Sequence, residues 1–225
     1  TWNEQGPNGI RNGQTTNITP LNTVSGAVRA LLADPADANL IYAGAVNGGV
    51  WKSTDAGTTW SPIAESNTQF NSVSISSLAF DQSTSGTIYA GYGAFSSLGG
   101  THGPLAGLIR STDSGATWSA INGAGSDSML NRQIYDVYAR GDNVVASTSF
   151  WNDGWFFAID SGDYGNVGII RSTDGGSTYH VVSGNGPTDV PNGLPGGYTV
   201  GMAGRYTGTE DILLTATQFA TSTTT

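Results

Sequence analysis

The sequence predicts an all-β fold built from repeated four-stranded units, and three observations support this. The 225-residue chain has 33 Gly, no Cys and only 11% charged residues. Its short apolar runs are separated by Gly, Asn, Asp and Ser, which is typical of many strands joined by tight turns. The octet STDAGTTW (53–60) returns as STDSGATW (111–118) and STDGGSTY (172–179), and DPADANLIYAG (34–44) upstream of the first matches DQSTSGTIYAG (81–91) upstream of the second.

Each repeat contains four short apolar-rich segments. In the first repeat these are VRALLAD, NLIYAGA, GVWKST and TTWSPIA, and turn residues separate them. Four strands in roughly 40–60 residues are typical of one blade of a β-propeller. Both faces of such a sheet are apolar, so we expect neighbouring blades to cover them.

The octet lies where the third strand of a blade turns into the fourth, and we interpret it as a structural brace. Its Asp can accept hydrogen bonds from turn N–H groups, its Gly allows a positive φ, and its final aromatic residue can fill the gap between blades. A catalytic Asp would not need to recur in every blade. The predicted structural residues are Ser53, Asp55, Gly57, Trp60, Ser111, Asp113, Gly115, Trp118, Ser172, Asp174, Gly176 and Tyr179.

These octets resemble the Asp-box, S-x-D-x-G-x-T-W, also called the BNR repeat. The chain is therefore similar to Asp-box propellers such as sialidases, xyloglucanases, sortilin-type receptors and many secreted bacterial repeat proteins. The resemblance covers residues 28–183 directly. It implies a β-propeller of four-stranded antiparallel blades with Asp-box turns.

The repeat spacing divides the chain into five parts. Residues 1–27 are predicted as an N-terminal outer strand and linker, because Thr1-Trp2 looks like the end of another octet. Blades 1, 2 and 3 are predicted at 28–66, 67–124 and 125–186, and a partial fourth blade at 187–225. We expect an incomplete portion of a larger ring of about six to eight blades. The remaining blades would come from the same longer chain or from a partner chain.

Two insertions, YGAFSSLGGTHGPLAG (92–107) and SFWNDGWFFAIDSGDYGN (149–166), fall in the loops between the second and third strands, on the face opposite the octets. Insertions on one face of a repeat protein often build a binding surface. Flat aromatic rings with interspersed polar groups suit sugar rings, although the same aromatic residues would also pack against their own blade. The predicted ligand-binding residues are Phe95, His102, Trp151, Asp153, Trp155 and Phe156.

Charge and composition exclude several classes of function. A net charge of −9 disfavours nucleic acid and anionic membrane surfaces as partners. No apolar run is long enough to predict membrane insertion. No cofactor is expected, except that DSGDYGN (160–166) places Asp160 and Asp163 as candidate Ca²⁺ ligands without the later Glu of an EF-hand. Acidity with scarce Lys fits an extracellular or cell-surface protein.

The resemblance also bears on catalysis. Xyloglucanases similar to this chain carry a catalytic Asp in a motif like YARTDVGG, and the matching stretch here is YAGAVNGG (42–49), with Val46 at the Asp position. The RIP motif of sialidases is absent from the sequence. We therefore expect a non-catalytic secreted or cell-surface module that binds glycan or protein, or a structural part of a larger extracellular protein. The alternative is a fragment of a glycoside hydrolase with its active face opposite the octets.

Overall fold

The computed structural model of the protein describes residues 27–46, 48–63, 74–93, 105–150, 168–183 and 198–218. All of the regular secondary structure in these ranges is β-strand. No helix within them is long and apolar enough to cross a membrane.

The strands form three four-stranded antiparallel sheets and one two-stranded sheet. The first sheet comprises β1 (Val28–Ala33), β2 (Ile41–Ala45), β3 (Gly49–Ser53) and β4 (Ser61–Pro62). The second comprises β5 (Ile75–Phe80), β6 (Ile88–Tyr92), β7 (Leu108–Ser111) and β8 (Ser119–Ala120). The third comprises β9 (Arg132–Arg140), β10 (Asn143–Phe150), β11 (Gly168–Ser172) and β12 (His180–Val181). The fourth contains β13 (Tyr198–Tyr206) and β14 (Asp211–Gln218). This architecture confirms the predicted all-β class.

The first strand of each sheet lies on the inner side of the array. β5 contacts both β1 and β9, and β9 also contacts β13. Strands follow each other in chain order within every sheet, so each sheet runs outward from its inner strand. One difference from the sequence prediction is that β10 extends through Phe150, which the sequence pattern assigned to the second insertion.

Apolar side chains between neighbouring sheets form the core. Tyr42 and Val50 of the first sheet pack with Ile88, Ile109 and other residues of the second. A second cluster joins the second and third sheets and includes Tyr89, Leu108, Ile134, Ile170 and Tyr179. Burying one such aliphatic side chain contributes about 1.5–3 kcal/mol. The apolar segments of the strands are therefore buried between neighbouring sheets, as expected when the sheets are arranged radially.

The three octets adopt one common hydrogen-bonded turn. In each, the Ser Oγ donates to the Asp Oδ1 at 2.8 Å and accepts the Gly N–H at 2.8–2.9 Å. The Asp accepts the N–H of the following Thr through Oδ1 at 2.8–2.9 Å, and the hydroxyl of that Thr through Oδ2 at 2.6 Å. These bonds favour the carboxylate and hold the pKa of Asp113 and Asp174 at about 2. Each Asp is thus committed to its own turn, and the three carboxylates do not meet in a shared site.

Backbone conformation in the octet is left-handed at two consecutive residues. Gly57, Gly115 and Gly176 have φ of 87°, 91° and 94°, as the sequence predicts for these glycines. The residue before each also has a positive φ, and two of these residues are not Gly: Ala56 at 57° and Ser114 at 58°. The energetic cost of this backbone conformation is offset locally by a hydrogen bond. The N–H of this residue, the fourth of the octet, donates to a carbonyl in the turn between the first two strands of the same sheet. The acceptors are the carbonyls of Asn39, Gly86 and Asp142.

The octets also join neighbouring sheets through a recurring contact. Lys52, directly before the first octet, donates from Nζ to the carbonyl of Ser114 in the second octet at 3.2 Å. Arg110, directly before the second octet, donates from Nη1 to the carbonyl of Gly175 in the third at 3.3 Å. Ser114 and Gly175 hold the same position in their octets. A cation on one sheet is therefore matched to a fixed backbone acceptor on the next.

Candidate functional site

The two ends of the sheets differ in what they carry. Antiparallel order places the turns between first and second strands at the same end as the octets, and the hydrogen bonds between these two sets of turns show this directly. The opposite end carries the loops between second and third strands and the crossovers between sheets. We call this opposite end the insertion face, since both predicted insertions belong to it.

Every inner strand contains a β-bulge close to the insertion face. The register shifts fall at Val28/Ala30 in β1, Ile75/Ser77 in β5, Ile134/Asp136 in β9 and Thr199/Gly201 in β13. The residues inside the bulges are Arg29, Ser76, Tyr135 and Val200. Bulges re-aim side chains and occur preferentially at the rims of β structures and beside active sites. Here the bulge residue Ser76, and Asp136 directly after the bulge of β9, contact neighbouring inner strands.

Two of these positions make hydrogen bonds from one sheet to the next. Ser76 Oγ donates to the carbonyl of Ile134 at 2.5 Å, joining β5 to β9. Asp136 Oδ2 accepts the N–H of Met202 at 2.8 Å, joining β9 to β13. These two hydrogen bonds therefore connect neighbouring inner strands near their bulges.

Asp136 is a carboxylate that lies beside one of these bulges. Counting from the bulge, it occupies the position of Ala30 in the first sheet and Ser77 in the second. Its side chain is half-buried, and burial raises the pKa of its carboxyl. The hydrogen bond from Met202 and the charge of Arg29 oppose this effect. A partly desolvated carboxyl with a shifted pKa makes Asp136 a candidate functional residue.

The crossover between the second and third sheets adds a concave surface at the same end. A cavity of about 400 Å³ lies along this loop, and its lining includes exposed Leu130 and buried Arg132. Arg132 is 1% exposed and donates from Nε and Nη2 to the carbonyls of Ser128 and Ser126, at 2.6 and 3.0 Å. The buried guanidinium thereby holds two carbonyls of the loop in place.

The predicted ligand-binding residues lie outside the described residues. These are Phe95, His102, Trp151, Asp153, Trp155 and Phe156, and the candidate Ca²⁺ ligands Asp160 and Asp163 lie there too. Within the described ranges, no group of three His, Cys, Asp or Glu side chains is placed to hold a metal ion.

Val46 occupies the position at which the xyloglucanase motif has its Asp. It lies directly after β2 at the insertion face, and its N–H donates to the carbonyl of Ala27 at 2.9 Å. Sequence reasoning missed Arg29, Tyr135 and Asp136. In the sequence these residues appear only as polar residues within an inner strand. Their equivalent positions are recognisable only when the four inner strands are aligned by their bulges.

Comparison with known proteins gives one curated relative and several structures. A xyloglucanase of Hypocrea jecorina (strain QM6a) is 33% identical over 172 residues, which are 66% of this chain and 20% of that enzyme. The chain therefore spans about a fifth of the length of the curated relative that it matches. No family model matches the sequence.

Two solved structures of GH74 enzymes are similar to this chain. An ancestral GH74 enzyme superposes with a TM-score of 0.52 at 19% identity, over 79% of this chain and 20% of that enzyme. A GH74 enzyme of Niastella koreensis gives a TM-score of 0.45 at 27% identity, over 69% of this chain and 22% of that enzyme. Together with the antiparallel four-stranded sheets, the first likeness shows that the chain has the fold of a β-propeller, consistent with one portion of a ring.

Proposed function

We propose that this chain is the polysaccharide-binding part of an extracellular β-propeller related to xyloglucanases, and that the ligand lies on the insertion face. The observation that carries the proposal is the 33% identity to a xyloglucanase over 172 residues. We also propose that the octets are Asp-boxes, since their residue types and turn geometry repeat in all three copies. No cofactor is needed for this role.

The electrostatics favour a neutral polysaccharide. A chain with a net charge of −9 repels polyanions such as uronic-acid polymers. Neutral glucans have no charge to repel, and aromatic rings stack on the apolar faces of their sugar units. We expect the aromatic residues of the two insertions to supply such rings on the insertion face.

We favour binding over cleavage as the role of this chain because of one sequence position. Glycoside hydrolysis needs two carboxyl groups about 5–10 Å apart. The motif position that carries the Asp in xyloglucanases is Val46. The described part of the insertion face carries two carboxylates, Asp136 on the inner strand β9 and Asp127 in the loop that joins the second and third sheets. A hydrolytic role of the complete protein is the alternative, and a second carboxylate near Asp136 would favour it.

The test is affinity electrophoresis of the complete protein that carries this chain, in gels with and without xyloglucan. We expect retardation by xyloglucan and none by a neutral α-glucan such as dextran. Trp151→Ala and Trp155→Ala should each reduce the retardation, whereas Thr173→Ala, an exposed change on the octet face, should not. Unretarded migration of the natural protein contradicts the proposal, as does equal retardation of all three variants. Release of reducing sugar in parallel reactions would favour the hydrolase alternative.

A further inference from the structure

The crossover loop, which we define as residues 121–131 between β8 and β9, is held by contacts with the second sheet. Met129 is fully buried in the core between the second and third sheets, and its N–H donates to the carbonyl of Asn122 at 2.8 Å. The side chain of Asn122 accepts the N–H of Leu108 at 2.8 Å and donates to the carbonyl of Ala106 at 3.0 Å. The protein therefore fixes the shape of this loop through its own hydrogen bonds.

The cavity of about 400 Å³ on the insertion face is formed by this loop and by Arg132 directly after it. Pockets for small molecules commonly have volumes of about 300–1,000 Å³ and combine an apolar lining with a few polar groups. Here Leu130 supplies an apolar side chain, and the polar side chains are those of Ser126, Ser128 and Asn131. A sugar ring matches such a lining, because it has apolar C–H faces and hydroxyl groups at its edge.

Leu130 is a large apolar side chain that stays half exposed, at 50%. The other large apolar side chains that are exposed in the described ranges belong to β1 and β14; they are Val28, Leu31, Ile212 and Leu214. A single exposed Leu is ordinary on a protein surface. Leu130 differs from that ordinary case because it lines a cavity beside polar groups. It is therefore available for contact with a ligand.

Asn131 places a second side chain at the cavity. Its φ is 63°, a left-handed conformation that Asn adopts more readily than most residues. Its backbone N–H donates to the carbonyl of Leu105 at 3.0 Å, and the residue is exposed. The backbone of Asn131 is therefore fixed, while its amide side chain lines the cavity.

The charges at the cavity favour a neutral ligand. Arg132 is 1% exposed, and two of its nitrogens donate to carbonyls of the loop. Burial lowers the pKa of Arg132, and the charge of Asp127 opposes this effect. Asp127 is thus close enough to balance the guanidinium, which is itself shielded from solvent. An anionic ligand would gain little from a cation that is already paired and buried.

We propose that the crossover loop is a subsite for one sugar unit of a neutral polysaccharide. Leu130 contacts the carbon atoms of the ring, and the side chains of Ser126 and Asn131 bind its hydroxyl groups. This assignment rests on the proposed function, since both place the polysaccharide on the insertion face. It adds an aliphatic contact to the aromatic contacts expected from the two insertions.

The apolar contact is tested by affinity electrophoresis of the complete protein over a series of xyloglucan concentrations. Leu130→Ala should weaken the apparent affinity roughly ten-fold, the lower end of what is typical for losing an apolar contact in a pocket. Leu130→Met should retain most of the affinity, because it keeps an apolar side chain of similar size. Thr112→Ala, an exposed change on the octet face, is the control and should have no effect. Equal affinity of Leu130→Ala and the natural protein would overturn the subsite.

The polar contact is tested by Asn131→Gly. Gly adopts the left-handed backbone of this position without strain, so the substitution removes the amide side chain and leaves the loop conformation accessible. The apparent affinity for xyloglucan should fall roughly three- to ten-fold, as is typical of losing one hydrogen bond. An unchanged affinity would contradict a role for the amide of Asn131.

Hydrogen–deuterium exchange of the complete protein locates the contact without any substitution. Xyloglucan oligosaccharides should slow exchange in peptides that cover 121–131 and leave the turn at 207–210, on the octet face, unchanged. If xyloglucan retards the natural protein but exchange at 121–131 does not change, the subsite is wrong and the proposed function stands. If xyloglucan does not retard the natural protein, the proposed function is wrong and the subsite falls with it.

Discussion

Replacing Gly115 with Ala tests whether the octets connect neighbouring sheets as well as bracing their own turns. Gly115 has a φ of 91°, and a Cβ at this position would overlap Cδ1 of Ile63 from the preceding sheet. Gly57 occupies the same position in the first octet with a φ of 87°, but its Cβ would meet Trp60 Cζ2 at 3.7 Å, an ordinary contact. The two substitutions thus share the backbone strain and differ in the contact between sheets.

The expected magnitudes follow from these two contributions. Left-handed backbone costs an Ala about 1–2 kcal/mol, and this applies to both variants. Overpacking against Ile63 adds about 1–3 kcal/mol for Gly115→Ala alone. A chain of this size loses about 2–4 °C of melting temperature for each kcal/mol, so the two variants should be clearly separated.

Denaturant unfolding followed by tryptophan fluorescence measures both free energies. Adding Ile63→Ala in a double-mutant cycle should recover the overpacking contribution in the Gly115→Ala background and give no coupling with Gly57→Ala. Equal destabilisation by Gly57→Ala and Gly115→Ala, with no coupling to Ile63, would refute the idea that the second octet is wedged against the first sheet.

Three further predictions concern the brace and the rim. Ser172→Ala leaves the Gly176 N–H, now bonded to Ser172 Oγ at 2.9 Å, without its acceptor and should destabilise the fold by about 1–3 kcal/mol; in chemical denaturation, a loss no greater than that of exposed Thr173→Ala would contradict this. Hydrogen bonds from Thr178 and Ser172 hold the pKa of Asp174 at about 2, below its ordinary 3.8, so its stabilising contribution is complete above about pH 4 and is lost as the pH falls through 2. Asp174→Asn should shift the acid transition seen by tryptophan fluorescence, and an unchanged titration curve argues against the brace. Burial raises the pKa of Asp136 above its ordinary 3.8, so stability falls as the pH rises through the folded-state value. The change in the free energy of unfolding caused by Asp136→Asn should therefore be more favourable at about pH 7 than at about pH 3. A change that is the same at both pH values would contradict a raised pKa for Asp136.

Local sequence signals were sufficient for the octets. Their Ser, Asp, Gly and Thr make hydrogen bonds within a few residues, so residue type and spacing alone predict the turn. The glycines at positive φ were predicted for the same reason. The left-handed Ala56 and Ser114 were not, because their side chains carry no signal for this conformation and the compensating bonds come from another turn.

The candidate site could be predicted only in part. Antiparallel strand order indicated which end of the sheets carries the insertions, and the described strands have that order. The aromatic residues chosen there remain predictions, since they lie outside the described residues. Asp136 was missed because an inner-strand Asp looks like an ordinary polar residue until its bulge and its neighbours in space are known.

The sequence by itself determined the all-β class and the hydrogen-bonded turns of the octets, because both depend on residues close together in the chain. Only the tertiary structure decided that Lys52 and Arg110 reach the next octet, that four bulges align around one rim, and that Asp136 is partly desolvated against β13. These features join residues on different sheets, many positions apart in the chain. Their energies depend on distance and burial in space, which residue spacing along one strand does not encode.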